Sequence, residues 1–434
     1  MKRRAAVLLF AVAAAIGLCL GPAGATGRHH HGHRVLVVDN EHRHRSCLGT
    51  RDPFDTIQGA VVAARIGATI WVCPGLYEET VKVDKQGLTL KGANAGRDAT
   101  RSGRHRESIV SPANPDPDPV GTVQLLADDI TWDGFTILGH DKAENGPGMY
   151  TSPAHSGYLI RDTIFHDNGV GLHLGSSGRH PTFVCRNRFI ANNESKTALG
   201  GYGIFSDEGA QQVLITYNRF EGHNGAAIFF ADRGAPQQNL LIDHNKSVDD
   251  LSFATIYGST HVRLTHNSAR ARVGDTEFPG PASAIFIGAR NDDVVVHQNR
   301  VHSASGNGID VTDSAEPNLG LKDEPPTSVV VSKNKAEHAQ LAGLHMATGT
   351  AGVQVTGNTA LDNGKWDCQD ESTGSGTLGT GNTWQDNLGV HNFPSSLCSP
   401  PAPTDQPGHG KGHHHHKKHK KQDPCTCRPH PKAF

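Results

Sequence analysis

The chain has 434 residues, with 41 Lys or Arg against 43 Asp or Glu, so its formal net charge is −2. That balance gives no argument for nucleic acid or an anionic membrane surface as a partner. Its 50 Gly and an aromatic content of 6% speak against a helical bundle, whose helices Gly would weaken, and for a turn-rich β protein.

The N-terminus reads as a signal peptide over residues 1–25. Lys2, Arg3 and Arg4 are the basic part, an apolar run follows from Ala5 to Leu20, and Ala23-Gly24-Ala25 is a small-x-small cleavage site. The run is short for a transmembrane helix. The expected mature protein is therefore secreted, with no membrane contact after cleavage. Residues 26–46 form a His-rich flexible segment that includes His29, His30, His31, His33, His42 and His44. Residues 399–434 form a Pro/His/Lys-rich tail containing His413, His414, His415 and His416, with too few apolar residues for a core. Imidazole runs bind Zn, Cu or Ni ions adventitiously, but neither run has the spacing of a structural zinc site. Seven of the eight cysteines lie beyond the leader. Export makes disulfides expected, and Cys47 with Cys73 and Cys368 with Cys398 are the simplest local pairs. Cys185 is left over and reads as a buried thiol.

Residues 47–398 carry the fold, with 47–95 as an N-terminal cap and first coil and 364–398 as the C-terminal closure. Asp52-Pro53 is a candidate N-cap and first turn. Ile57, Ala60, Val61 and Ala64 then follow helical spacing up to Gly67. Strands are expected at 70–73, 80–83 and 88–90. From there a pattern recurs: apolar, any, apolar, any, any, Asn. Val213-Leu-Ile215-Thr-Tyr-Asn218 and Val294-Val-Val296-His-Gln-Asn299 are two instances. Aligning on it gives the column Asn187, Asn218, Asn245, Asn267, Asn299, Asn334, Asn358 and Asn382, with Asp133 and Thr163 filling the slot upstream. Neighbours are 22 to 35 residues apart, the length of a solenoid coil. Asn tolerates left-handed backbone geometry, and its amide can bond to the Asn one coil away, so the column reads as a structural ladder. Three residues before it stands an aliphatic. Two residues after it stand Phe135, Phe165, Phe189 and Phe220, then smaller residues, then Trp384.

A further strand follows each Asn by 10 to 19 residues. Its alternation turns His173, Phe205, Phe229, Tyr257, Phe286, Asp310 and His345 outward in one column. Length variation falls around 192–200, 270–281 and 313–327, in Gly-, Pro-, Asp- and Ser-rich loops.

The segment FDTIQGAVVAARIGATIWVCPGLYEETVKVDKQGLTLKGA resembles the N-terminal cap and first coil of the pectin-lyase-like superfamily. The VxIxxN and GIxV strands resemble that superfamily's short repeats. The closest general type is the exported bacterial right-handed parallel β-helix repeat protein. The implied fold is an all-β right-handed parallel β-helix, a solenoid of about ten coils with a short capping α-helix. The superfamily includes polysaccharide lyases, glycoside hydrolases, esterases, epimerases and non-catalytic relatives.

Two functions fit. In the first, a monomeric extracellular scaffold binds polysaccharide along an aromatic groove formed by His173, Phe205, Phe229, Tyr257, Phe286 and His345, and requires no cofactor. The same rings could instead be covered by side loops as a secondary core, since so large an apolar patch must be hidden. In the second, the chain is a lyase or hydrolase of an acidic polysaccharide. Asp207, Asp232 and Asp310 would be its carboxylates and Arg233 or His261 its base, with Ca²⁺ if it is a lyase. Glu208 and Asp313 stand near the same face. The enzyme reading requires Asp207, Asp232 and Asp310 to converge. No paired aspartates with a Gly-His-Gly segment, no esterase set and no pectate-lyase calcium triad stand in the sequence.

Overall fold

A computed structural model describes residues 35–41, 47–112, 118, 120–139, 146–193, 200–273, 282–315, 320 and 322–402. The expected leader, most of the His-rich segment and the run from His413 to His416 fall outside them. Among the described residues the strands form three parallel sheets of 13, 11 and 12 strands. The solenoid is thus slightly longer than the ten coils expected. In the first sheet, strands such as Ala210–Thr216, Gln237–Asp243 and Ser259–Thr265 stack in register, one coil above the next. The Asn turn then leads into the second sheet, made of strands of two to four residues such as Arg188–Ile190 and Arg219–Glu221. The third sheet holds Val170–His173, Tyr202–Ser206, Ala226–Ala231, Ile309–Val311 and Ala342–Met346. This is a right-handed parallel β-helix, the hand that parallel crossovers favour.

One short helix, Ile57–Ala63, buries Ile57, Ala60 and Val61. Its N-cap is Thr56, whose Oγ1 accepts from the Gly59 amide at 3.1 Å, and not the Asp52-Pro53 pair. The Glu79 carboxylate also accepts from the Ile57 and Gln58 amides, at 2.7 and 2.8 Å. It thereby takes up donors that a helix start leaves open. Disulfides join Cys47 to Cys73 and Cys368 to Cys398. Cys185 is buried and disulfide-bonded too, which corrects its reading as a leftover thiol.

The Asn side chains form a continuous buried chain of hydrogen bonds. Each Oδ1 accepts the backbone N–H and the Nδ2 of the Asn one coil before it, as Asn245 does from Asn218 at 2.9 and 3.1 Å. Each Nδ2 also donates to a carbonyl of an earlier coil, Asn218 to Val184 at 2.8 Å. Residues just before the ladder, including Tyr217, His244 and His266, hold φ near +55°. The ladder amides thus satisfy backbone groups that so sharp a buried bend would orphan.

Two positions at its ends differ from the sequence alignment. After Asn358 the ladder passes to Asn387, which accepts its N–H and Nδ2 at 2.9 Å, and not to Asn382. Trp384 pairs with Val355 and so stands three residues before the ladder position. Asn382 instead donates to Thr350, Asp370 and Ser372. At the other end Ile160 pairs with Trp132, two residues beyond the expected Ile130, so Phe135 rather than Asp133 holds the slot of Thr163. Inside the coil, Phe165, Phe189 and Phe220 stack at 4.6 and 4.9 Å between ring centroids with nearly parallel planes.

A second buried polar chain lines the next turn, five residues after the ladder. Asn168 donates to Asn192, Asn192 pairs with His223, and His223 pairs through Nδ1 with Asp250 at 2.6 Å, all fully buried. The sequence repeat did not reveal it, because its members change from Asn to His to Asp.

Candidate functional site

On the outer face of the third sheet, strand pairing aligns Tyr150, His173, Phe205, Phe229, Thr255, Phe286, Asp310, His345 and Gln369 in one column. Tyr257 is therefore misplaced in the sequence alignment by two residues: it pairs with Ala231. Alternation keeps it on the same face, and its ring still reaches Phe229 at 5.9 Å and Phe286 at 5.4 Å. Tyr150 and Tyr202 belong to the same face and were not singled out from the sequence.

The rings do not form an open row. Phe205, Phe229 and Tyr257 are only 5%, 7% and 6% exposed. With Val170, Tyr202, Ala226 and Ala231 they make a separate apolar cluster outside the main core, with Phe286 packed against it. Of the two outcomes the sequence left open, these aromatics take the covered one. His173, Phe286 and His345 remain half-buried at the edges of the cluster.

A polar group stands at each end. At the first, His173 Nε2 pairs with Asp207 Oδ1 at 2.9 Å, Arg233 donates to Asp207 Oδ2 at 3.1 Å, and the Tyr150 hydroxyl donates to Glu208 at 3.0 Å. Burial pushes the Asp207 carboxyl up, but hydrogen bonds and charge from His173 and Arg233 outweigh it and hold the group below the ordinary range. At the second end Asp310 Oδ2 accepts from Ser283 Oγ at 2.9 Å and Asn307 Nδ2 at 3.0 Å, while Oδ1 pairs with His345 Nδ1 at 2.7 Å. His345 Nε2 lies 3.6 Å from Glu371, which accepts from Gln369 at 2.6 Å. Burial pulls the His345 imidazole down, but Asp310 and then Glu371 outweigh it, so it titrates above an ordinary histidine.

Of the four candidate catalytic residues, the structure joins only Asp207 and Arg233. Asp232 accepts from the Gly234 amide at 2.7 Å within its own turn. Asp310 lies four strands along the sheet from Phe205, the neighbour of Asp207, which is about 19 Å at the spacing of parallel strands. His261 sits on the first sheet, paired with Asp293 at 2.8 Å. The convergence required by the enzyme reading is absent for these residues. Retaining and inverting glycosidases hold their carboxyls about 5–9.5 Å apart.

Among the described residues, one group of three side chains could hold a metal ion: Asp243, His244 and His266, with a donor atom from each within 4.8 Å of the others. Two imidazoles and a carboxylate suit Zn²⁺ or Cu²⁺. His244 and His266 each directly precede a ladder Asn, Asn245 and Asn267, and that recurrence was the signal in the sequence.

The raised titration of His345 has a consequence for stability. A histidine raised in the folded state stabilises fully below its unfolded value of about 6.5, and that contribution fades as pH rises through the folded value. His345→Gln is expected to lower the melting temperature most below pH 6.5 and progressively less above it, as followed by circular dichroism across pH. An equal loss at every pH would contradict the pairing.

Residues 130–314 match the family described as "Right handed beta helix region". With the three-sheet coil, that match identifies the fold as a right-handed parallel β-helix. A search of curated proteins gave no match. Similar solved structures include the catalytic unit of a thermostable α-1,3-glucanase from Streptomyces thermodiastaticus, at 14% identity and TM-score 0.47, covering 77% of this chain and 66% of that one. A pectin methylesterase in complex with a hexasaccharide matches at 16% and 0.37, covering 69% and 88%. An alginate lyase from Paenibacillus sp. matches at 14% and 0.38, covering 77% and 95%. The chain thus spans just under two thirds of the glucanase unit. Likenesses this distant concern the fold alone. No helix among the described residues is long and apolar enough to cross a membrane.

Proposed function

We propose that this protein is an exported β-helix scaffold that binds extracellular polysaccharide along the outer face of its third sheet. The observation that carries the reading is the separation of Asp207 from Asp310. Each is committed to its own histidine, about 19 Å apart on the sheet, with the covered aromatic cluster between them and partly open rings at its edges. Such a face suits several units of a chain rather than one scissile bond. The half-buried rings of Tyr150, His173, Phe286 and His345 supply its contact edges, and the polar groups at both ends supply hydrogen bonds. The two local disulfides fit an oxidising, extracellular setting. Affinity electrophoresis of the full chain in gels containing neutral or uronic-acid polysaccharides tests it. Tyr150→Ala and Phe286→Ala are expected to weaken retardation several-fold while each variant keeps the far-ultraviolet circular dichroism of the folded chain. Retardation unchanged by both variants would remove the third-sheet face as the site.

A second reading is a carbohydrate-active enzyme centred on Asp310, His345 and Glu371. A buried carboxylate with two further donors, holding His345 through Nδ1, orients the imidazole as a general base would need. Ca²⁺ belongs to this reading if the reaction is a lyase one.

A further inference from the structure

The second sheet carries a row of cations that no function considered so far uses. The residue after each ladder Asn from Asn187 to Asn334 points outward and stacks in register: Arg188, Arg219, Lys246, Ser268, Arg300 and Lys335. Arg270 stands beside the row, two residues along from Ser268, where that coil lacks a cation. The inward residues between them, from Phe189 to Ala336, are buried, so the side chains on either side face solvent. Glu221 pairs with both Arg188 and Arg219, and Glu337 pairs with Lys335 at 2.6 Å. Lys246, Arg270 and Arg300 are exposed and have no ion pair or side-chain hydrogen bond among the described residues. They line one open cleft of about 690 Å³ on this sheet.

Like charges directly opposite on neighbouring strands destabilise a sheet, and here Arg219 faces Lys246 and Arg300 faces Lys335. The chain as a whole is slightly acidic, so this row is a local concentration and not a reflection of overall charge. From Arg188 to Lys335 it spans five strand spacings, about 24 Å. One small anion cannot neutralise that length, whereas an extended chain with a negative group on each unit can. Guanidinium groups bind carboxylate and sulfate in bidentate fashion. The row contains no Phe, Tyr or Trp on which unpaired bases would stack.

We propose that the second sheet is a binding surface for an anionic polysaccharide, with Lys246, Arg270 and Arg300 as its principal contacts. This goes beyond the third-sheet reading and does not depend on it. The test is biosensor binding of the full chain to polygalacturonate, dextran and duplex DNA, with salt raised from about 0.05 to 0.2 M. Wild type is expected to bind polygalacturonate with marked salt sensitivity, and to show no salt-sensitive binding to uncharged dextran. The combined variant Lys246→Gln, Arg270→Gln, Arg300→Gln is expected to lose about tenfold or more of the polygalacturonate affinity and most of its salt dependence, with a melting temperature no lower than that of wild type, because all three side chains are exposed and two of them face like charges. Phe286→Ala, on the third sheet, is expected to leave that salt-sensitive binding intact. The proposal is overturned if the triple variant binds as wild type does, if Phe286→Ala removes the same binding, or if duplex DNA binds as tightly as polygalacturonate.

Discussion

Asn267→Ala is expected to reduce the free energy of unfolding by about 3–5 kcal/mol. Asn267 Oδ1 accepts the N–H of Asn245 at 2.9 Å and its Nδ2 at 3.1 Å, and Asn267 Nδ2 donates to the Ile242 carbonyl and to Asn299 at 2.9 Å each. Asn267 is 2% exposed, so no water replaces what the substitution removes. Each buried polar group left without a partner costs about 1–3 kcal/mol. The loss falls on two turns at once, because the same amide closes its own coil and the one before it. Guanidinium unfolding of wild type and variant measures it. Ser268→Ala, one residue further and exposed, is the control and should stay within about 0.5 kcal/mol. A variant at Asn267 that matched this control would mean the ladder is geometric coincidence and not a source of stability.

Phe189→Ala is expected to cost about 3–5 kcal/mol by a different route. The ring is fully buried and lies between Phe165 and Phe220, with interplanar angles of 4° and 8°. Truncation removes its transfer energy and leaves a cavity between two rings held in place by their own strands. Phe189→Leu keeps more of the volume, so a clearly smaller loss is expected in the same unfolding experiment. Equal losses for Leu and Ala would show that stacking geometry, rather than filled volume, sets the cost.

The fold was legible because a coil repeats its constraints. An aliphatic three residues before an Asn is demanded once per turn, and seven of the eight aligned Asn residues occupy the ladder. The errors fall at its ends, where fewer neighbours restrain the alignment. Asn382 and Asn387 both lie within one coil length of Asn358, and only the rule of an apolar residue three places earlier, met by Trp384, selects Asn387. Tyr257 was misplaced because period-two alternation does not distinguish a slip of two residues: Thr255 and Tyr257 face the same way.

The candidate site was less legible. Whether an outward aromatic is open or covered depends on packing beyond its own strand, and no periodicity encodes that. Its charged pairs were accessible in principle. His345 and Asp310 are 35 residues apart, one coil, and pair in register. The cationic row was equally readable, as Arg or Lys directly after Asn187, Asn218, Asn245, Asn299 and Asn334. It passed unnoticed because the net charge of the whole chain averages it away.

The central claim is that the third-sheet face binds a polysaccharide without cutting it. The most direct measurement incubates the purified full chain with neutral and uronic-acid polysaccharides, with and without Ca²⁺, and reads new reducing ends and the absorbance of unsaturated products alongside binding. The account predicts measurable binding to at least one polymer and no new ends on any. Depolymerisation that disappears on Asp310→Asn would contradict it and place the chemistry at Asp310, His345 and Glu371.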